Sequence, residues 1–158
     1  MRISMIFACL ISSMTGVAYA QDKVSSYTQT LTGTWIAQVA DATGNVQLFE
    51  VGAFHPDGSY SGANVNASHT EHKGVWLRTG DRKFILTVMF FGHDEKLAFT
   101  SIIKAKIYIT MAEDLKSYDS VAERTIMDPT GKVLSVTPGI AGRSVRMDVE
   151  FPMAAPPE

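Results

Sequence analysis

Apolar and polar residues alternate with a period of two along most of the chain. That spacing sets one face of a β-strand against a core and the other in water. The clearest run is 97–111. Leu97, Phe99, Ser101, Ile103, Ala105, Ile107, Ile109 and Met111 share one face, and Thr100, Lys104, Lys106, Tyr108 and Thr110 share the other. Near the C-terminus Val145, Met147, Val149 and Phe151 alternate with Ser144, Arg146, Asp148 and Glu150. The run 84–91 is apolar on both faces, which predicts a strand covered on both sides or packed against a neighbour. Runs at 34–40, 46–54, 59–65, 74–78, 121–128 and 132–136 bring the total to about nine strand candidates. No window carries the 3.6-residue period of a long amphipathic helix. Residues 114–119 have room for a single turn.

Turn signals separate these runs: Asp41-Ala42-Thr43-Gly44, His55-Pro56-Asp57-Gly58, Thr79-Gly80-Asp81, Gly92-His93-Asp94, Asp128-Pro129-Thr130-Gly131 and Pro138-Gly139. Pro at the second and Gly at the fourth position suit type I turns, so hairpins are expected. Eight or nine antiparallel strands leave a closed barrel or a sandwich. Hairpins in sequence order favour a meander, and a meander of this length removes its edges by closing. The expectation is an all-β, eight-stranded antiparallel up-and-down barrel over residues 33–151.

The ends read differently. Arg2 precedes an uncharged apolar stretch, Ala18-Tyr19-Ala20 is a small-x-small site, and Gln21-Asp22-Lys23 follows. Residues 1–20 thus read as a secretory signal peptide. The stretch is too short, and too broken by Ser12, Ser13, Thr15 and Gly16, to span a bilayer. Cys9 lies within the apolar stretch, where a lipidated cysteine does not belong. Residues 21–32 form a polar lead-in, and 152–158 form a Pro-rich tail that cannot join a sheet.

The whole chain has 158 residues, 46% hydrophobic and 19% charged, which speaks against disorder. Its net charge of −2 lacks the basic excess of a nucleic-acid binder. Cleavage after Ala20 would remove the sole cysteine, so thiol catalysis is excluded in the mature chain. The expected location is periplasmic or secreted, with no integral membrane segment after cleavage.

Leu31-Thr32-Gly33-Thr34-Trp35 opens the first strand, and a Gly-x-Trp opening before a barrel-length series of hairpins resembles the calycin, or lipocalin-like, superfamily. Phe54-His55-Pro56-Asp57-Gly58, Gly74-Val75-Trp76 and Gly142-Arg143 resemble pieces of small secreted bacterial members. The resemblance implies that Trp35 plugs the closed end and that a basic residue of the last strand stacks on it. Counting around the barrel puts Phe151, not Arg143, beside Trp35. Either the stack is absent or the register differs.

Candidate chemistry is sparse. No nucleophile elbow, phosphate loop, dinucleotide fingerprint or HExxH sequence occurs. His69-Thr70-Glu71-His72 looks like a metal motif, but i and i+3 point to opposite faces of a strand, and a solvated loop explains it more simply. His55, His93, Asp57 and Asp128 fall in turns whose backbone explains them. Two charges interrupt faces that read inward: Glu123 with Val121, Thr125 and Met127, and Arg143 with Val145, Met147 and Val149. They are expected to pair in the lumen, to bind a polar head group, or to lie at a wet rim.

The expected function is binding of a small hydrophobic or amphipathic molecule in the lumen. Its wall would be drawn from Trp76, Met89, Phe99, Ile103, Glu123, Met127, Arg143 and Met147, with no cofactor and no metal. A cofactor-independent isomerase or cyclase using the same cavity is a second reading. A filled barrel acting as a structural or interaction module is a third. Homo-oligomerisation stays open.

Overall fold

The computed structural model describes residues 31–40 and 46–148. Eight strands follow one another: β1 (Gly33–Ala40), β2 (Val46–Phe54), β3 (Ser59–Asn64), β4 (His72–Gly80), β5 (Lys83–His93), β6 (Phe99–Met111), β7 (Ser117–Met127) and β8 (Val133–Arg146). They close into one barrel in sequence order, each strand antiparallel to the next, with β8 returning to β1. Among the described residues there is no helix, and hence none long and apolar enough to cross a membrane. The expected signal peptide, most of the lead-in, the turn at Asp41-Gly44, Phe151 and the tail lie outside the described residues. Leu31, assigned to the lead-in, is fully buried against the barrel.

The turns form as their residues dictate. In the β2–β3 loop Gly58 takes φ +85° and donates to His55 O, while Asp57 Oδ1 accepts from the Ser59 amide and hydroxyl. The β7–β8 loop repeats this design with Gly131 at φ +87° and Asp128 Oδ1 accepting from Thr130 and Lys132. These bonds favour the charged carboxylates and hold both aspartates below the ordinary range.

Strand β6 faces as its alternation predicts from Ile103 to Met111, while Leu97 and Phe99, expected on the same face, are exposed beyond an irregularity in the pairing with β5. Ile103, Ala105, Ile109 and Met111 are buried, Ile107 is half-buried, and Lys104 and Lys106 are exposed. On β5, Phe84, Leu86, Val88 and Phe90 point inward, but Met89 and Phe91 are exposed. The doubly apolar run therefore has only one covered face.

Two expectations are corrected at β7 and β8. The runs at 132–136 and 144–151 are not separate strands, because β8 continues through Pro138-Gly139 for 14 residues. Ala122 pairs with Ile140 but Arg124 with Thr137, so β8 holds one extra residue opposite Glu123. Gly139 absorbs this bulge at φ +75°. Among the described residues β1 pairs with residues 142–146 of β8, beyond Pro138, which has no N–H to give a ladder.

The facing of both strands is also the reverse of that expected. Tyr118, Ser120 and Ala122 line the inside of β7, and Ile140, Gly142 and Ser144 that of β8. Val121, Glu123, Arg143, Val145 and Met147 are exposed. Space is the physical reason. A Cβ on Gly142 would stand 2.9 Å from Ser120 Oγ, so the close approach of β7 and β8 at this pair favours small residues there.

The closed end is an aromatic cluster. Tyr118 lies 4.9 Å from Trp35 and 6.3 Å from Phe54, which also meets Tyr60 at 4.8 Å and Trp76 at 5.8 Å. Trp35 Nε1 donates to Leu31 O at 2.9 Å. The basic stack on Trp35 is present, supplied by Arg146. β1 and β8 set these two residues opposite each other, with the guanidinium carbon 4.3 Å from the ring centre. Arg146 Nη1 also donates to Thr32 O at 2.7 Å and Nε to Leu115 O at 3.2 Å. The expectation of Phe151 beside Trp35 is thereby corrected, because the last strand begins at Val133 rather than at 144 and so reaches Trp35 at Arg146.

Candidate functional site

Above the aromatic floor, the inner faces of β2, β3 and β4 carry the lumen's polar groups. Gly52 pairs with Gly62, and together they leave a trough without side chains. The Tyr60 ring lies in it: a Cβ on Gly52 would stand 2.6 Å from Tyr60 Cζ, and one on Gly62 2.7 Å from Tyr60 Oη. The trough lets the phenol reach along the sheet and donate to Glu50 Oε1 at 2.6 Å.

Glu50 also accepts from His72 Nδ1 at 3.0 Å, again on Oε1. His72 is 2% exposed and Glu50 17%. The next link is Asn64, which pairs with Glu50 across β2 and β3. Its Oδ1 accepts from the Asn66 amide at 2.9 Å, which turns Nδ2 toward both imidazoles, 3.1 Å from His72 Nε2 and 3.2 Å from His69 Nδ1. With Nε2 accepting, the His72 ring proton sits on Nδ1, facing Glu50. The ring stacks on Phe90 at 3.9 Å.

His69 lies at the rim, 4.9 Å from Phe90. Asn66 Oδ1 accepts from the Ser68 amide at 2.9 Å, so its Nδ2 faces His69 Nε2 at 3.2 Å. Protonated His69 would place an N–H against an amide nitrogen on each side. Burial, reinforced by His72 and Arg124, lowers its proton affinity in the same direction. The segment is pinned to the end of β5: the Thr70 amide donates to Phe91 O, and the Phe91 amide to Thr70 Oγ1.

A cavity of about 70 Å³ adjoins this chain of bonds. Glu50 and Tyr60 line it together with Leu86, Ile107, Ala122 and Ile140. Burial, with the Glu50 charge and hydrogen bond, raises the Tyr60 pKa far above the usual phenol range. Burial also pushes Tyr118 up to about 12, against the opposing effect of its bond with Ser144. Both phenols therefore act as neutral hydrogen-bonding groups.

None of the eight residues expected at the wall reaches this cavity. Trp76 is buried in the floor, donating to the carbonyls of His55 and Ser59 at 3.2 and 3.1 Å. Ile103 is buried beside Gly92, nearer the open end. Met89 is exposed on the outer face, and Phe99 packs there against Phe91 at 5.6 Å. Met127 is half-buried at the end of β7, past irregular pairing. Glu123, Arg143 and Met147 are exposed, so the expected inward Glu123–Arg143 pair is corrected by the reversed facing of their strands.

The solvated-loop reading of His69 and His72 is corrected too. His72 opens β4 on its inner face, and both rings bond to Asn64. Among the described residues no three His, Cys, Asp or Glu side chains are placed to hold a metal ion. Sequence reasoning missed Glu50, Tyr60 and Asn64. A usable signal existed: Glu50, Gly52 and Phe54 share one face of β2, and an acid on the face that buries Phe54 is worth following. Comparisons with family models, curated proteins and solved structures return no match, so the function is argued from these residues alone.

Proposed function

We propose that the chain is a secreted or periplasmic lipocalin-like barrel that holds a small amphipathic molecule in the upper half of its lumen. The observation that carries this reading is a cavity whose lining combines Glu50, Tyr60, Tyr118, Ser120 and Ser144 with aliphatic groups such as Leu86, Ile107 and Ile140. Such a lining orients a ligand by a few polar groups while apolar contact supplies affinity. The Trp35–Arg146 stack supports the lipocalin-like assignment, since it matches what the resemblance of the first strand implies.

Size limits the occupant. A cavity of about 70 Å³ is roughly half of one that accepts benzene, so about three non-hydrogen atoms fit inside and the remainder extends toward the mouth. Native mass spectrometry of freshly purified mature protein should show a co-purified small molecule. A chain beginning at Gln21 is expected in the same spectrum. Apoprotein alone, with no response of the Ile107 and Ile140 methyls to small amphiphiles, would defeat the binding reading.

A filled barrel acting through its outer face is the second reading. It is favoured by the exposed Val133, Leu134 and Val136 on the outer end of β8. Light scattering showing a dimer that Val136→Lys dissociates would support it.

A further inference from the structure

We propose that the head group selected by the lumen is an ammonium, held by Glu50 Oε2; this rests on the binding reading above. The Glu50 carboxylate is oriented by two donors, Tyr60 Oη at 2.6 Å and His72 Nδ1 at 3.0 Å, and both bind Oε1. Among the described residues no donor lies on Oε2. Nor is Oε2 sealed away, because no buried side-chain oxygen or nitrogen among them lacks a partner. Glu50 lines the cavity, and we assign this open oxygen to its polar contact there.

The basic group paired with this carboxylate among the described residues is the His72 imidazole, which meets Oε1 and leaves Oε2 unmatched. Arg146, the cation nearest the floor, is committed to Trp35, Thr32 and Leu115 at the closed end. Arg124 is exposed on β7 and forms no ion pair with Glu50. A carboxylate in a largely apolar space is costly unless a cation or donor completes it, and an ammonium supplies both. A carboxylate ligand would meet like charge at short range in a low effective dielectric and be rejected. A hydroxyl supplies the donor without the charge and ranks between. The volume restricts the enclosed part of an amine to a short alkyl chain, placed against Leu86, Ile107 and Ile140.

The test is a methyl-detected NMR titration of the full mature chain with n-propylammonium, 1-propanol and propionate at pH 7. Propylammonium should shift the Ile107 and Ile140 methyls saturably, propanol at least tenfold more weakly, and propionate not saturably. Glu50→Gln keeps an oxygen for Tyr60 and His72 and should weaken propylammonium at least tenfold more than it weakens propanol. Equal binding of the three probes, or Glu50→Gln without effect, would overturn the ammonium proposal and leave lumen binding intact. Shifts confined to methyls beside exposed acids, such as Leu97 and Ala98 next to Asp94 and Glu95, would overturn it as surface binding. No probe reaching the two methyls would overturn both readings. The ranking on the unmodified chain decides even if the variant does not fold.

Discussion

Substituting Gly52 by alanine tests whether the Tyr60 trough organises the site. The new methyl would overlap the Tyr60 phenolic oxygen and stand 2.6 Å from Cζ and 2.8 Å from Cε2, far inside ordinary contact. A phenol ring cannot fold aside as a lysine tip can, and Tyr60 is packed 4.8 Å from Phe54. The ring must therefore leave the trough. The smallest consequence is loss of the bond to the Glu50 carboxylate, about 1.5–3 kcal/mol. The largest is loss of everything the buried ring contributes, about 3–5 kcal/mol. Gly52 does not use a positive φ, so the methyl also restricts the unfolded chain, offsetting about 0.4–1 kcal/mol. The expected net destabilisation is about 2–3 kcal/mol, read as a lower urea midpoint at unchanged slope. In a Tyr60→Ala background the same substitution should be neutral or slightly stabilising. An equal cost in both backgrounds would refute the trough and the route by which Tyr60 reaches Glu50.

Arg146→Gln should destabilise by about 2 kcal/mol in chemical unfolding, because it removes the stack on Trp35 and two charged donors to carbonyls. Arg146→Lys should recover only part of this, since an ammonium lacks the planar fork. On β6, Ile109→Ala should cost about 2–5 kcal/mol and Lys106→Ala stay within about 0.5, with equal effects in thermal unfolding refuting the inward face. His69 is held below its ordinary value of 6.5, so the unfolded chain binds the proton more tightly. Its contribution to stability is therefore complete above 6.5 and lost as pH falls through that value toward the folded pKa. Urea midpoints between pH 8 and 5 should show this slope, and His69→Gln should flatten it.

The barrel was legible in the sequence because closure follows from many local signals that agree. β6 shows it best, its alternation long enough to fix both period and phase. On β7 and β8 the period was readable and the phase was not. Hydrophobicity assigns Val121, Val145 and Met147 to the inside, but the inner positions are held by Ser120, Ala122, Gly142 and Ser144, with β7 and β8 approaching closely at Ser120 and Gly142. That constraint arises between neighbouring strands and leaves no trace in the alternation of either one. Pro138-Gly139 misled for a related reason: a turn signal and a bulge at an unpaired edge use the same two residues. His72 shows the opposite error. Its neighbours Thr70, Glu71 and Lys73 are polar, and only the pairing of Gly62 with His72 places the ring in the lumen.

The charged and imidazole groups of the lumen gather on β2–β4, and the cavity faces β7 and β8. Glycine at positions 52 and 62 removes bulk from one wall, and that space is refilled by Tyr60 from the same wall. Small residues on β7 and β8 remove bulk from the opposite wall, and no neighbouring side chain fills that space fully, since about 70 Å³ remains. A lumen optimised for stability alone would close such a gap with one larger residue, as Ala122 could be replaced by leucine or valine at little cost in strand propensity. Holding a carboxylate open beside an unfilled apolar space opposes stability twice, once through the void and once through the charge. Both costs fall at one place, within a barrel whose closed end is densely packed. Unfavourable features gathered in this way mark where stability has been yielded to function.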